Sequence, residues 1–485
     1  MKTIQTILFC LFTILTAEVK KPNILFAIAD DWGWPHAGSY GDNVVKTPTF
    51  DKIAKEGLLY NQAYSSSPSC TPSRAAILTG QWHWRLEESA NLWSTLNSKF
   101  NVYTDILENS GYHVGYTRKG WGPGKIEVGG RNQNPAGKNY EDFDQYLFQR
   151  KENKPLCFWF GSYDPHRVYE KGSGKNSGID INKINIPDFF PTTDIVKNDI
   201  ADYYFEVERF DREVGEIIQK LKEMNELNNT IVVITGDHGM PFPRCKSNLY
   251  DMGVRVPLAI SWQARIKNKG RIIDDFVSLI DLAPTFLESA GIPIPKEMNG
   301  KSLIKTFSSE KSKHIHDGRN FIITGKERHV PAQEAPIQGG YPSRAIRNHN
   351  FLLIWNIKPN RWPAGTPNED KAYFDNIWLG DADPGGTKNE IVRGNSTPEG
   401  KRIYQLNFGK RPEFELYDVQ RDSFQILNIA YDPVYKTLRE NMFATLKNEL
   451  IDTKDPRMHG KGELLENYPY YGGGPTKEGF KNQIK

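Results

Sequence analysis

The stretch Asn23-Ile24-Leu25-Phe26-Ala27-Ile28-Ala29, closed by Asp30-Asp31, constrains the fold more than any other part of this chain. A nearly continuous apolar run has no inside–outside alternation, so it predicts a strand covered on both faces. Leu156 to Phe160 and Thr230 to Thr235 repeat the pattern, and Leu258 to Trp262 is a further strand candidate. Helical spacing lies between them. Thr47-Pro48-Thr49 opens a helix through Ile53 and Ala54 that Gly57 stops. Val207, Phe210, Val214, Ile217, Ile218 and Leu221 mark a helix from Tyr203 to Met224, and Leu282 to Ala290 predicts another, ended by Gly291. Alternating strands and helices imply an α/β fold with a large, mostly parallel sheet flanked by helices. Ligands of such sheets bind beyond the carboxyl ends of the strands. Asp30, Asp31, His166, Asp237 and His238 all fall there.

After about Lys301 the pattern changes. Lys305 to Lys313 is polar and reads as a linker or surface loop. Phe321 to Thr324, Ala345-Ile346-Arg347, Phe351 to Trp355 and Phe414 to Tyr417 read as strands, and Val434 to Leu450 as a helix. Pro359 to Lys401, rich in Pro, Gly, Asn and Asp, reads as extended loop. At the other end, Met1-Lys2-Thr3, the apolar run Ile4 to Leu15 and Thr16-Ala17 read as a signal peptide over residues 1–17. The run is shorter than the about 20 residues a membrane span needs. A secreted or periplasmic protein without a membrane span is expected. With 62 basic and 59 acidic residues the net charge is only +3, so recognition of an anion must be local, and no nucleic-acid partner is expected. Eleven Trp suit a carbohydrate-handling surface. Four cysteines exclude a disulfide-dense scaffold; Cys10 lies in the apolar leader, and pairing of Cys157 with Cys245 stays open.

The densest constellation is Pro68-Ser69-Cys70-Thr71-Pro72-Ser73-Arg74, continuing Ala75-Ala76-Ile77-Leu78-Thr79-Gly80. Ser73 is expected to cap a helix starting near Arg74, with Ala76, Ile77 and Leu78 toward a core. Cys70 then stands just ahead of a helix N-terminus, where backbone N–H groups favour anions. The string resembles the Cys-x-Pro-x-Arg signature of the type I, formylglycine-dependent sulfatases of the alkaline phosphatase superfamily. The similarity extends from Asn23-Ile24-Leu25 to Glu415-Leu416-Tyr417-Asp418. Met240-Pro241-Phe242-Pro243-Arg244, before Lys246 and Asn248-Leu249-Tyr250, is most similar to the heparan N-sulfatase (sulfamidase)-like branch.

That resemblance implies an alkaline-phosphatase-like sandwich. Its catalytic domain would cover residues 18–315, and a smaller α+β subdomain with an antiparallel sheet, residues 316–485, would contribute to the substrate pocket. Cys70 would be converted to formylglycine by a formylglycine-generating or anaerobic sulfatase-maturating enzyme. The hydrated aldehyde would attack sulfur, form a covalent sulfo-enzyme intermediate and then expel sulfate. Asp30, Asp31, Asp237, His238 and position 70 match the ligands of one calcium ion, and three converging carboxylates would repel one another without a cation. Arg74 would hold the cluster, Lys119 and Lys246 would bind sulfate oxygens, and His166 would protonate the leaving atom. One departure stands out. Trp121 in Arg118-Lys119-Gly120-Trp121 replaces the family histidine that deprotonates the second hydroxyl, so the base for sulfate release is unassigned.

Substrate contacts are expected from His36, His83, Arg85, Arg167, Arg328 and His329, cations and imidazoles near the motif positions. The resemblance implies sulfate-ester hydrolysis on a glycan such as ulvan or a glycosaminoglycan, and a Lys-, Asn- and Ile-rich chain with a short leader points to a bacterial polysaccharide sulfatase. The alternatives are an N-sulfoglucosamine sulfamidase and a non-catalytic glycan-binding pseudo-sulfatase. A phosphatase or phosphodiesterase on the same scaffold is disfavoured by Cys70 and the single metal cluster.

Overall fold

The computed structural model describes residues 20–152, 154–374 and 377–472; the expected signal peptide and Cys10 lie outside them. Ten strands come first in the chain: β1 (Asn23–Ala29), β2 (Leu58–Tyr60), β3 (Ala63–Tyr64), β4 (His113–Arg118) and β5 (Lys138–Tyr140). They continue with β6 (Leu156–Gly161), β7 (Thr230–Gly236), β8 (Leu258–Ser261), β9 (Arg271–Ile273) and β10 (Val277–Ser278). Eight of them form one sheet in the order β5-β4-β6-β1-β7-β8-β2-β9, while β3 and β10 pair separately. β1 lies at its centre, parallel to β6 and to β7. Only β8 runs against its neighbours. The expected mostly parallel sheet is therefore present.

Every residue of β1 is buried because each face meets its own core. Leu25, Ala27 and Ala29 pack with Val207, Phe210 and Val214 of the 30-residue helix Asp194–Glu223. Ile24, Phe26 and Ile28 pack with Ala75, Ile77 and Leu78 of the helix Cys70–Thr79 and with Phe286. A run without alternation is what a three-layer arrangement requires. A separate antiparallel sheet follows in the order β11 (Phe321–Lys326), β12 (Ser343–Asn348), β13 (Phe351–Asn356), β14 (Phe414–Asp418). Its Ile323, Ile346, Leu353 and Leu416 share a third core with Ala76, Trp84 and Tyr250, so this sheet leans on the outer side of the Cys70 helix.

Three local expectations are corrected. The signature helix begins at Cys70, with Ser69 as N-cap, so Ser73 lies inside it and its hydroxyl donates to the Asp237 carbonyl at 2.6 Å. Pro72 is tolerated because the first turn has no intrahelical partners for its N–H groups. The long helix starts at Asp194, where the Thr193 side chain accepts from Val196 N–H; polar residues on its first turns hid that start. The supposed loop Pro359 to Lys401 contains the helix Gly386–Gly394 and opens the helix Pro398–Phe408. Among the described residues no helix is long and apolar enough to cross a membrane.

Candidate active site

Four parallel strands deliver their carboxyl ends to one place. β1 runs into Asp30 and Asp31, β7 into Asp237 and His238, β4 into Lys119, and β6 into the loop that carries His166. Backbone hydrogen bonds stitch these ends together: Asp237 N–H donates to Ala29 O at 3.1 Å, Lys119 N–H to Gly161 O at 2.9 Å and Asp30 N–H to Asp164 O at 2.9 Å. Gly161 permits the closest approach, since a Cβ there would lie 1.7 Å from the Lys119 carbonyl oxygen. The N-terminus of the Cys70 helix points at the same spot. The Cys70 thiol donates to Asp30 Oδ1 at 3.6 Å and lies 3.3 Å from His238 Nε2.

Arg74 is the hub. Fully buried, it donates from Nε to Asp237 Oδ2 at 2.8 Å, from one terminal nitrogen to the Lys119 and Gly120 carbonyls at 3.0 Å, and from the other to Asp30 Oδ1 at 3.4 Å. Lys119 pairs with Asp30 Oδ2, and Lys246 donates to Asp31 Oδ2 at 2.8 Å. Burial pushes the Asp30 carboxyl up, but Lys119, His166, Arg74 and Lys246 together hold it well below the usual carboxylate range. Burial likewise works against both lysine charges, yet Asp30 holds Lys119 above its ordinary value and Asp31 and Asp383 hold Lys246 well above. Both ammonium groups therefore stay charged at neutral pH.

The donor set fits a divalent cation on this structure's own terms. The His238 Nδ1 lies 3.1 Å from the Gly239 carbonyl, which only accepts, so the ring proton sits there. Nε2 then presents a bare lone pair 3.2 Å from Asp31 Oδ1 and 3.7 Å from Asp237 Oδ1. Asp31 Oδ1 is buried and accepts no hydrogen bond. Two facing acceptors in a dry site are repulsive until a cation sits between them. Asp31, Cys70 and His238 on one side, and Asp30, Cys70 and Asp237 on the other, bring their ligand atoms within 4.8 Å of one another.

Above the cluster opens a cavity of about 800 Å³. Lys119, His166, Lys246, Trp121, Trp93 and Tyr163 are part of its wall. His166 donates from Nδ1 to the Arg167 carbonyl, which leaves Nε2 toward Asp31 Oδ2, 3.9 Å away. Of the expected substrate contacts, Arg167 and His329 line the cavity. The Arg167 guanidinium is committed to Asp199 at 2.7 and 2.9 Å, and His329 Nδ1 lies 2.8 Å from Ser69 Oγ.

The structure does not bring His36, His83, Arg85 or Arg328 into that wall. His36 packs on Tyr203 and Tyr204, and the His83 ring nitrogen bonds Ser66 Oγ at 2.7 Å. Burial pushes the two imidazoles down to about 4 and about 3. Arg85 binds the Glu297 carbonyl and Asn299, and Arg328 binds the Pro469 carbonyl. Among the lining residues that the sequence did not single out, Asp383 pairs with a predicted site residue. Asp383, from the loop between β13 and β14, reaches Lys246 Nζ at 3.0 Å. Its sole signal was an Asp-Ala-Asp-Pro-Gly-Gly string without periodicity. Cys157 and Cys245 are buried and free.

Residues 22–292, more than half of the chain, match the family model Sulfatase. The human N-sulphoglucosamine sulphohydrolase is 27% identical over 93% of this chain and 94% of its own length. An ulvan-active sulfatase of Formosa agariphila is 28% identical over 89% and 74%. The solved structure of BT4656 in complex with its substrate D-glucosamine-2-N,6-O-disulfate superposes with a TM-score of 0.61 at 19% identity, covering 90% of this chain and 99% of that one.

Proposed function

The chain belongs to the sulfatase family, a family of sulfuric ester hydrolases, and from that premise we propose that it releases sulfate from a sulfated glycan with position 70 as nucleophile. The observation that carries this reading is the place of Cys70, at a helix N-terminus, 3.6 Å from Asp30 Oδ1 and 3.3 Å from His238 Nε2. As plain cysteine it is ill suited to attack: burial pushes the thiol well above its ordinary range, against the pull of Lys119. It stays protonated, and the thiol is a poor nucleophile. Converted to formylglycine by a maturating enzyme, position 70 supplies a hydrate, one hydroxyl to attack sulfur and the other to expel sulfate as the aldehyde is restored. Asp30, Asp31, Asp237 and His238 would hold a calcium ion, which would supply positive charge beside position 70.

The remaining work falls to side chains. Arg74 fixes Asp30 and Asp237 relative to the helix that carries position 70. Lys119 and Lys246 put two charges beside the sulfate oxygens, where negative charge develops in the transition state. His166, oriented by its Nδ1–H to Arg167 O, presents Nε2 to protonate the leaving atom. Trp121 cannot accept a proton. Lys119 is held charged by Asp30, and burial pushes His329 down to about 3, so removal of the release proton falls to His166 or a water beside it. The 316–485 subdomain completes the pocket through His329 and Asp383. A cleaved 1–17 leader would place the enzyme outside the cytoplasm, where sulfated polysaccharides are met.

The ulvan-active relatives favour ester sulfate of a polysaccharide, whereas the end-to-end match to the human N-sulphoglucosamine sulphohydrolase favours a sulfamate as the second reading. Sulfate release from ulvan oligosaccharides, chondroitin and heparin disaccharides and N-sulfoglucosamine decides between them. Wild-type protein should release sulfate from one class, and Cys70→Ala should lower the rate by at least about a thousandfold. Undiminished activity of Cys70→Ala, or an active preparation with unmodified cysteine by intact mass, overturns the mechanism.

A further inference from the structure

Asp383 is a carboxylate of the cavity wall that pairs with Lys246, one of the two lysines assigned to the sulfate, and comes from a loop far in sequence from the strand ends. Its Oδ2 takes Lys246 Nζ at 3.0 Å, and Lys246 in turn reaches Asp31. The Lys246 contact is an ion pair: Oδ2 is buried and accepts no hydrogen bond, and among the described residues none is formed to the second oxygen either, so the carboxylate lines the cavity with its acceptor capacity uncommitted. Ligand atoms of Asp31, His166 and Asp383 lie within 4.8 Å of one another, which places Asp383 beside the imidazole that faces the leaving atom.

The loop that carries it is held rigidly. Lys388 Nζ donates to the Leu379 and Ala382 carbonyls at 2.9 and 2.8 Å. Asp381 takes Lys326 at 2.7 Å and the Val330 N–H at 3.1 Å, and Thr387 donates twice to Asp199, the partner of Arg167. A carboxylate fixed next to an anionic sulfate is repulsive unless something donates to it. Lys246 offsets part of the charge through the ion pair to Oδ2; the other oxygen requires a donor from the substrate.

We propose that Asp383 is a specificity-determining residue: its uncommitted oxygen accepts a hydrogen bond from a hydroxyl vicinal to the sulfated position, and its charge excludes a second sulfate there. This rests on the sulfated-glycan reading above. A glycan with a free vicinal hydroxyl is accepted, and a vicinally disulfated one is rejected. A purely structural Asp383, holding Lys246 in place, would lower the rate on every substrate alike.

The test compares ratios of kcat/KM. For a sulfamate the matched set is N-sulfoglucosamine, its 3-deoxy analogue and its 3-O-sulfated form; for an ester it is the corresponding trio of the best substrate of the panel, with 4-nitrophenyl sulfate as a common reference. In the wild type, loss of the vicinal hydroxyl should cost about ten- to a hundredfold, the range for a hydrogen bond to a buried charge. Asp383→Asn, which keeps size but loses the charge, should narrow the preference for the free-hydroxyl over the disulfated substrate by about tenfold or more. Equal wild-type rates on hydroxyl and deoxy substrates overturn the inference without any variant, and an unchanged ratio in Asp383→Asn does the same. Absence of sulfate release from every glycan overturns the glycan reading and this inference with it; release with unselective ratios overturns this inference alone.

Discussion

Arg74 shows how much of the site rests on single side chains. It is fully buried, and three carbonyl or carboxylate partners depend on it besides Asp237. Arg74→Ala strands two buried carboxylates, a change that costs about 3–5 kcal/mol when one partner of a buried pair is lost. It should lower the melting temperature as well as abolish sulfate release, measured by calorimetry alongside the assay. The cation site makes a complementary claim. Chelation by EGTA should lower both activity and melting temperature, and added calcium should restore them; at a hundredfold excess over its Kd a bound ion stabilises by about 2.7 kcal/mol. Cys70, Arg74 and the aspartates were legible in the sequence because a short motif and two strand ends fix them locally. His36 and His83 misled for the opposite reason: each sits a few residues from a functional group, yet its neighbours in space are Tyr203, Tyr204 and Ser66. Asp383 was illegible because its meaning arises only when a distant loop meets Lys246.

At the scale of elements, strand ends position the chemistry, so crowding one end should be felt at the catalytic groups. Gly161→Ala would put its Cβ against the Lys119 carbonyl, which also accepts from Arg74 and Trp159. It should cost roughly 1–3 kcal/mol as overpacking does. Because Lys119 moves with its carbonyl, kcat should fall more than thermal stability alone explains. β1, β6, β7 and β8 were legible from unbroken apolar runs. β2, β5 and β9 were not; each has only three residues and is specified by its neighbours. The helix Gly386–Gly394 begins with glycine and carries few apolar residues, so no periodicity announces it.

Across the whole molecule, the antiparallel sheet and the catalytic helix share one core, so the two parts of the chain should melt together and a chain ending at residue 315 should release no sulfate. Glu327 gives that joint a pH signature. Burial pushes its carboxyl up, but Arg457 and Arg344 overrule it and hold it at about 2 against an ordinary 4.5. A depressed carboxylate stabilises above its unfolded value and loses that contribution as pH falls through the folded one. Stability should therefore drop by roughly 3 kcal/mol between about pH 4.5 and 2. Glu327→Gln should flatten that part of the profile. The depth of position 70 has a last consequence, which concerns timing. Its side chain is 3% exposed beneath a finished cavity. A maturating enzyme of the proposed kind would have to enclose a sulfur that the closed sheet buries. If position 70 is oxidised to formylglycine as proposed, that oxidation would have to precede the end of folding: incubating a folded, unmodified chain with a maturating enzyme should leave its mass unchanged, whereas supplying the enzyme during synthesis should not.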